Sequence, residues 1–280
     1  MKKVLSSIIF VFVFIGCSYI NNYDSKQFET LDKKFNAAFY SKLKLETFNG
    51  SINSSTHKGD SIILTFKPWA TGVDSADARK HISDIKINIV EDTATGILKV
   101  DIDVDQKLVH PRDYGCNVTI ILPDTIALDL SSSNGRLNAF GHQQGLKLHA
   151  SNGDIGIRNT AGATKLSTSN GSISVDMHSG NIEANTSNGR IDAKVVMPTK
   201  HGVCTFKSSN GRISLAVPDT VSASVHLKTL SGGMEVAKKL GISIQNSDDN
   251  ELNGYMGSTQ NAGKIELETS NGHITLKSLE

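Results

Sequence analysis

The sequence predicts an all-β chain folded as a parallel β-solenoid, with coils of 18–22 residues and an irregular N-terminal region. Three observations carry this prediction. Ser-Asn-Gly recurs with asparagines at 134, 152, 170, 188 and 210, so successive copies lie 18, 18, 18 and 22 residues apart, and a further copy holds Asn271. Apolar and polar residues alternate on both sides of each copy, the period-two pattern of strands with one buried face. The same residue type returns to the same slot in copy after copy, as expected where equivalent positions stack.

Each copy reads as strand, corner, strand. Two residues after the glycine stands an aliphatic: Leu137, Ile155, Ile173, Ile191, Ile213, Met234 and Ile274. Four before the asparagine stand Leu148, Leu166, Ala184, Phe206, Leu227 and Leu267. The corners are Asn134-Gly135, Asn152-Gly153, Asn170-Gly171, Asn188-Gly189, Asn210-Gly211 and Asn271-Gly272, with Leu230-Ser231-Gly232 a degenerate copy. Asn and Gly tolerate the positive φ that a tight corner is expected to need. Asn-Gly between alternating runs is also the strongest short hairpin signal, so an antiparallel meander competes with the solenoid. Recurrence by slot favours the stack, in which equivalent asparagines can form a ladder. The long step from 231 to 271 holds either a decayed coil or an excursion.

Residues 31–130 lack the period. Phe48-Asn49-Gly50-Ser51-Ile52 is a lone divergent copy, 61–66, 86–90, 97–104 and 117–122 read as strands, and 74–84 reads as a short helix. This region is expected to belong to the same domain and to cover the open edge of the first coil. The chain thus divides into a leader (1–16), a polar tether (17–30), N-terminal strands and cap (31–130) and the repeat solenoid (131–280).

The leader carries Lys2 and Lys3, an apolar run from Val4 to Ile15, and then Gly16-Cys17. The run has signal-peptide length and is short for a membrane span. A small residue before a cysteine at this place resembles the lipobox of bacterial lipoproteins. The resemblance implies cleavage between Gly16 and Cys17 and acylation of Cys17 with palmitate-type chains, hence a lipid bilayer as partner. Ser18, rather than Asp, follows the cysteine, which by the same resemblance favours the outer membrane over the inner. Export permits a disulfide between Cys116 and Cys204. Their strand phase makes each a buried small hydrophobe, and neither sits in a zinc-type spacing.

Repeated Thr-Ser-Asn-Gly-x-Ile turns, a strand ending Leu122-Pro123, and the segments Gly254-Tyr255-Met256-Gly257 and Lys264 to Leu276 resemble a bacterial domain-of-unknown-function family, DUF4097-like, catalogued under an adhesin label. The resemblance spans 40–280. It implies a β-solenoid on an exported or membrane-tethered protein and carries no catalytic residues over.

The chemistry that the residues exclude agrees with a non-catalytic module. With 29 basic and 28 acidic residues, the chain lacks the basic footprint of a nucleic-acid binder. It has no nucleophile elbow, H-E-x-x-H, phosphate loop or dinucleotide fingerprint. The oxygen-rich Asn246–Glu251 stretch lacks the glycine and twelfth-position Glu of an EF-hand and reads as a solvated loop. No metal or cofactor is expected. The best enzymatic alternative is a carbohydrate-active β-helix, in which Asp154, Asp176 and Asp192 would share one outer face as paired carboxylates. Each has an Arg or Lys nearby, as on an ordinary solubilising sheet face. The expected role is a binding or structural surface for a glycan or protein ligand. Phe140 is the sole aromatic anchor on its repeats, and Trp69 packs the cap.

Overall fold

A computed structural model describes residues 22–105, 112–196, 201–260 and 262–279. Among them, strands fall into two twelve-stranded sheets. Strands before an Asn-Gly corner form a leading sheet and strands after it a trailing sheet. Alternation dictates the burial: Ile173 and Val175 point in, and Ser174 points out. In spatial order the coils are coil 1 (Ile97–Val104, Tyr114–Pro123), coil 2 (Lys42–Asn49, Ile52–His57), coil 3 (Ala127–Asn134, Leu137–Phe140), coil 4 (Leu146–Asn152, Ile155–Ala161) and coil 5 (Thr164–Asn170, Ile173–Ser179). Then follow coil 6 (Ile182–Asn188, Ile191–Val196), coil 7 (Val203–Ser208, Ile213–Val217), coil 8 (Gly263–Asn271, Ile274–Ser278) and coil 9 (Ala223–Ser231, Met234–Val236).

Neighbouring coils pair in parallel and in step. Leu137, Ile155, Ile173, Ile191, Ile213 and Ile274 stand in one register column of the trailing sheet. In the leading sheet Leu130, Leu148, Leu166, Ala184, Phe206 and Leu267 do the same, the small Ala184 lying beside the large Phe206. These columns make one continuous core between the sheets. The expected parallel solenoid is the observed fold, and the hairpin alternative is not.

Chain order and stacking order differ at both ends. Lys42–His57 forms coil 2, between coils 1 and 3, so Asn49-Gly50 is a true corner and the N-terminal region supplies two coils of the stack. Gly263–Ser278 forms coil 8, inserted between coils 7 and 9. The step from 231 to 271 is therefore an excursion. It carries an antiparallel hairpin, Ser243–Ser247 with Glu251–Met256, laid against coil 9. The turn read as a solvated loop is closed by Asp248, whose Oδ1 accepts from the Asn250 and Glu251 backbone N–H at 2.8 Å each.

Antiparallel strands also close the other end. Ser61–Gly72 pairs with the Tyr114–Pro123 strand of coil 1, and Ile85–Asp92 with Ile97–Val104. Between them runs a helix, Ser75–Lys80, capped by Asp74 and continued by a 3-10 turn to Asp84, which seals the core with Ala78 and Ile82. Ser25–Phe28, within the stretch read as tether, is a strand that pairs antiparallel with Ser61–Gly72. Trp69 packs this cap, with Lys26 Nζ 3.3 Å from its ring centroid.

The corners correct the expected reason for Asn-Gly. Among the described non-glycine residues, positive φ occurs at Asn159, Met177 and His201, none of them a corner asparagine. Among the corner glycines only Gly50 and Gly232 have it. The rest are glycine because coils approach too closely for a side chain. A Cβ on Gly171 would lie 2.1 Å from the Gly153 carbonyl oxygen, and one on Gly189 would lie 1.9 Å from that of Gly171. The asparagines form a ladder: Asn152 donates to Asn134, Asn170 to Asn152, Asn188 to Asn170, Asn210 to Asn188 and Asn271 to Asn210, at 2.8–2.9 Å. Inside it runs a buried hydroxyl column in which Thr168, Thr186, Ser208 and Thr269 each donate to the glycine carbonyl of the preceding coil at 2.9 Å. Buried carbonyls need such donors.

Candidate binding surface

The regular stack repeats outward slots as well as inward ones. On the trailing sheet the slot after the corner glycine holds Arg136, Asp154, Ser172, Arg190 and Arg212 in coils 3 to 7. Two residues on stand Asn138, Gly156, Ser174, Asp192 and Ser214, and two further on Phe140, Arg158, Asp176, Lys194 and Ala216. Register places each set in a row running along the stack, with a bulge in coil 5 between Val175 and His178 that takes Asp176 out of step with Lys194.

The three aspartates of the enzymatic alternative all lie on this face, and each is engaged by cations. Arg136 Nη2 meets Asp154 Oδ2 at 2.9 Å. Asp176 lies between Arg158 (3.5 Å) and Lys194 (3.5 Å). Asp192 lies between Arg190 (3.0 Å) and Arg212 (3.6 Å). The Ser172 backbone N–H at 2.9 Å, then Arg136, hold the Asp154 carboxyl below its usual range. A general acid for glycosidic cleavage needs the opposite shift, a carboxyl kept protonated by an apolar pocket. The Asp154 carboxyl is shifted the other way, toward the charged form.

Gly156 is a gap in the outward rows. Where its neighbours Asn138 and Ser174 carry side chains it carries none, and a groove of about 560 Å³ opens over it. Asn138 leans over the gap, since a Cβ on Gly156 would lie 2.8 Å from Asn138 Oδ1. Asn138 Nδ2 is held in turn by Asn53 at 2.8 Å. Phe140, 48% exposed, walls one side, and Arg158 stands beside it. Phe140 was singled out from the sequence. Gly156 was readable as an outward slot, but its meaning needs the neighbours on adjacent coils.

The leading sheet has a second groove, of about 660 Å³, lined by hydroxyls, His149 and Lys207. Lys207 is committed to Glu266 at 2.8 Å and Glu268 at 2.9 Å, which push its pKa up. That face has no exposed aromatic in its groove.

Cys116 and Cys204 are both buried and free. They lie in coils 1 and 7, on opposite sheets, too far apart for a bridge. Burial pushes both thiols up to about 12. Among the described residues no group of three or more His, Cys, Asp or Glu could hold a metal. Gly16 and Cys17, the expected processing and lipidation site, lie outside the described residues.

Several solved structures are similar to this chain. A candidate cell adhesion protein from Clostridium sporogenes is 13% identical, with a TM-score of 0.40, covering 90% of this chain and 100% of that one. A candidate adhesin from Bacteroides fragilis is 12% identical, with a TM-score of 0.39, covering 90% and 97%. One from Parabacteroides distasonis is 10% identical, with a TM-score of 0.33, covering 92% and 98%. No curated protein matches the chain. Residues 41–277 match the sequence profile of the Toastrack DUF4097 family, and that match takes in all nine coils. The chain belongs to the Toastrack DUF4097 family.

Proposed function

We propose that this chain is an exported lipoprotein, anchored by acylated Cys17 in the outer membrane, whose solenoid is a non-catalytic, adhesin-like binding surface. The observation that carries the reading is the trailing face, where cations and hydroxyls repeat across coils around an open groove with Phe140 at its rim, while Asp154, Asp176 and Asp192 are each ion-paired. Such a face suits recognition spread over many coils rather than chemistry at one point. The eight residue-to-residue steps from Cys17 to Ser25 span at most about 28 Å. An anchor there keeps the N-terminal cap near the bilayer and leaves the coils to project.

The test is made on intact cells. The wild-type protein is expected in the membrane fraction, cleaved by added protease, and Cys17→Ala is expected to be released or left unprocessed. Purified protein is then screened against glycans and matrix proteins. Normal membrane retention of Cys17→Ala would overturn the anchor, and an absence of any binding partner in the screen would overturn the adhesive role.

A further inference from the structure

We propose that the groove over Gly156 binds a carboxylated polysaccharide, which rests on the binding role above and adds the ligand class. The argument begins with charge. Five cations (Arg136, Arg158, Arg190, Lys194 and Arg212) surround three carboxylates (Asp154, Asp176 and Asp192) on this face, a surplus of two positive charges. The closest contacts to Asp176 are long, 3.5 Å from Arg158 and 3.5 Å from Lys194. A guanidinium so loosely held as that of Arg158 can turn to a ligand carboxylate, for which its planar fork is suited.

The neutral features point to sugar. Gly156 lets a flat ring descend to the sheet surface once the Asn138 side chain that leans over it turns aside, and the Ser174 hydroxyl stands next to it in the row. Phe140 offers an apolar ring face at the rim, the partner that the C–H face of a sugar requires. The three aspartates interleave with the cations and accept hydrogen bonds from hydroxyls. They would repel the dense charge of a phosphodiester backbone, which carries no hydroxyl-rich face in return. A polymer with spaced carboxylates and free hydroxyls satisfies both signs. The rows repeat once per coil, about every 4.8 Å, so an extended chain can engage several coils and gain by avidity. The exposed charges make this attraction fall with salt.

The experiment titrates the full chain, in detergent, with polygalacturonate fragments, with neutral galactose polymers of matched length, and with poly-L-glutamate. Polygalacturonate is expected to bind, with an affinity that falls as salt rises, and the other two to bind at least roughly tenfold more weakly. Arg158→Gln is expected to weaken binding roughly fivefold to tenfold. Gly156→Leu fills the groove and is expected to abolish binding. Phe140→Ser, at an exposed position, repeats the test should Gly156→Leu lower the melting temperature. Equal binding of the neutral polymer or of poly-L-glutamate would overturn the ligand class, as would unchanged binding in both groove variants. Failure of polygalacturonate alongside a positive hit for another ligand in the screen above would overturn this inference and leave the adhesive reading standing.

Discussion

Gly171 and Gly156 lie in neighbouring coils and are glycine for opposite reasons. At Gly171 an added Cβ would meet the Gly153 carbonyl oxygen at 2.1 Å, and that backbone can move only by parting two coils. At Gly156 the nearest obstacle is the end of the Asn138 side chain, which can turn away. Gly171→Ala is therefore expected to lower the unfolding free energy by about 2–4 kcal/mol. Gly156→Ala is expected to stay within about 0.5–1 kcal/mol of wild type, because it also restricts the unfolded chain. Urea denaturation of the two variants decides the matter, and equal midpoints would remove close approach as the reason for the glycine column. The recurrence of Asn-Gly was legible in the sequence, but its cause was not. Positive φ and backbone contact select the same residue, and only the stacked partner distinguishes them. The hydroxyl two residues before every corner asparagine but Asn152, where Ala150 stands, was likewise visible as a repeated letter, in Thr168 and Thr186, yet its acceptor belongs to another coil.

At the scale of one element, the places where the trailing strands of coils 3 and 5 run into their second corners carry a pH sensitivity. His142 and His178 are fully buried there. His142 Nε2 meets Ser54 Oγ at 2.9 Å, and His178 Nδ1 meets Thr160 Oγ1 at 3.0 Å. Desolvation lowers both pKa values, that of His142 to about 4. An unfolded histidine titrates near 6.5, so the unfolded chain binds the proton first as pH falls. Stability from the neutral His142 is thus complete above about pH 6.5 and is lost progressively between 6.5 and 4, amounting to about 3 kcal/mol in full. Carboxylates such as Glu266, lowered to about 2 mainly by its hydrogen bond from Lys207, act below that window. Melting temperature is expected to fall between pH 7 and 4.5 in wild type, and much less in His142→Gln. Parallel curves for the two proteins would refute this assignment. Strand interiors were legible because alternation alone sets which residues point in, as at Ile173 and Ser174. The second corners were not, because their lengths vary, and whether a histidine there is buried depends on the coils above and below.

The whole molecule holds the feature least visible in the sequence, the interleaving at both ends. Coils 8 and 9 carry equivalent aliphatics, Ile274 and Met234, in the same slot and with the same parity, so either could follow coil 7. The excursion after coil 9 lays its hairpin antiparallel along the outer side of Ala223–Ser231. The inner side then receives Gly263–Asn271. The same interleaving puts Lys42–His57 inside coil 1 and makes the irregular N-terminal region part of the stack. The surface slots, and with them the groove and its charge rows, have meaning only if the coils stack in this order. Oxidative cross-linking tests that most directly. Thr275 lies opposite Ser214 on one side and Glu235 on the other. A Ser214→Cys, Thr275→Cys pair sits one strand spacing apart, about 4.8 Å, within reach of a disulfide. A Ser214→Cys, Glu235→Cys pair sits about two spacings apart, beyond that reach. The interleaved solenoid predicts a bridge in the first double variant and none in the second, read by mass spectrometry of the oxidised protein. A bridge between 214 and 235, with none between 214 and 275, would mean that the coils stack in chain order and would contradict the account.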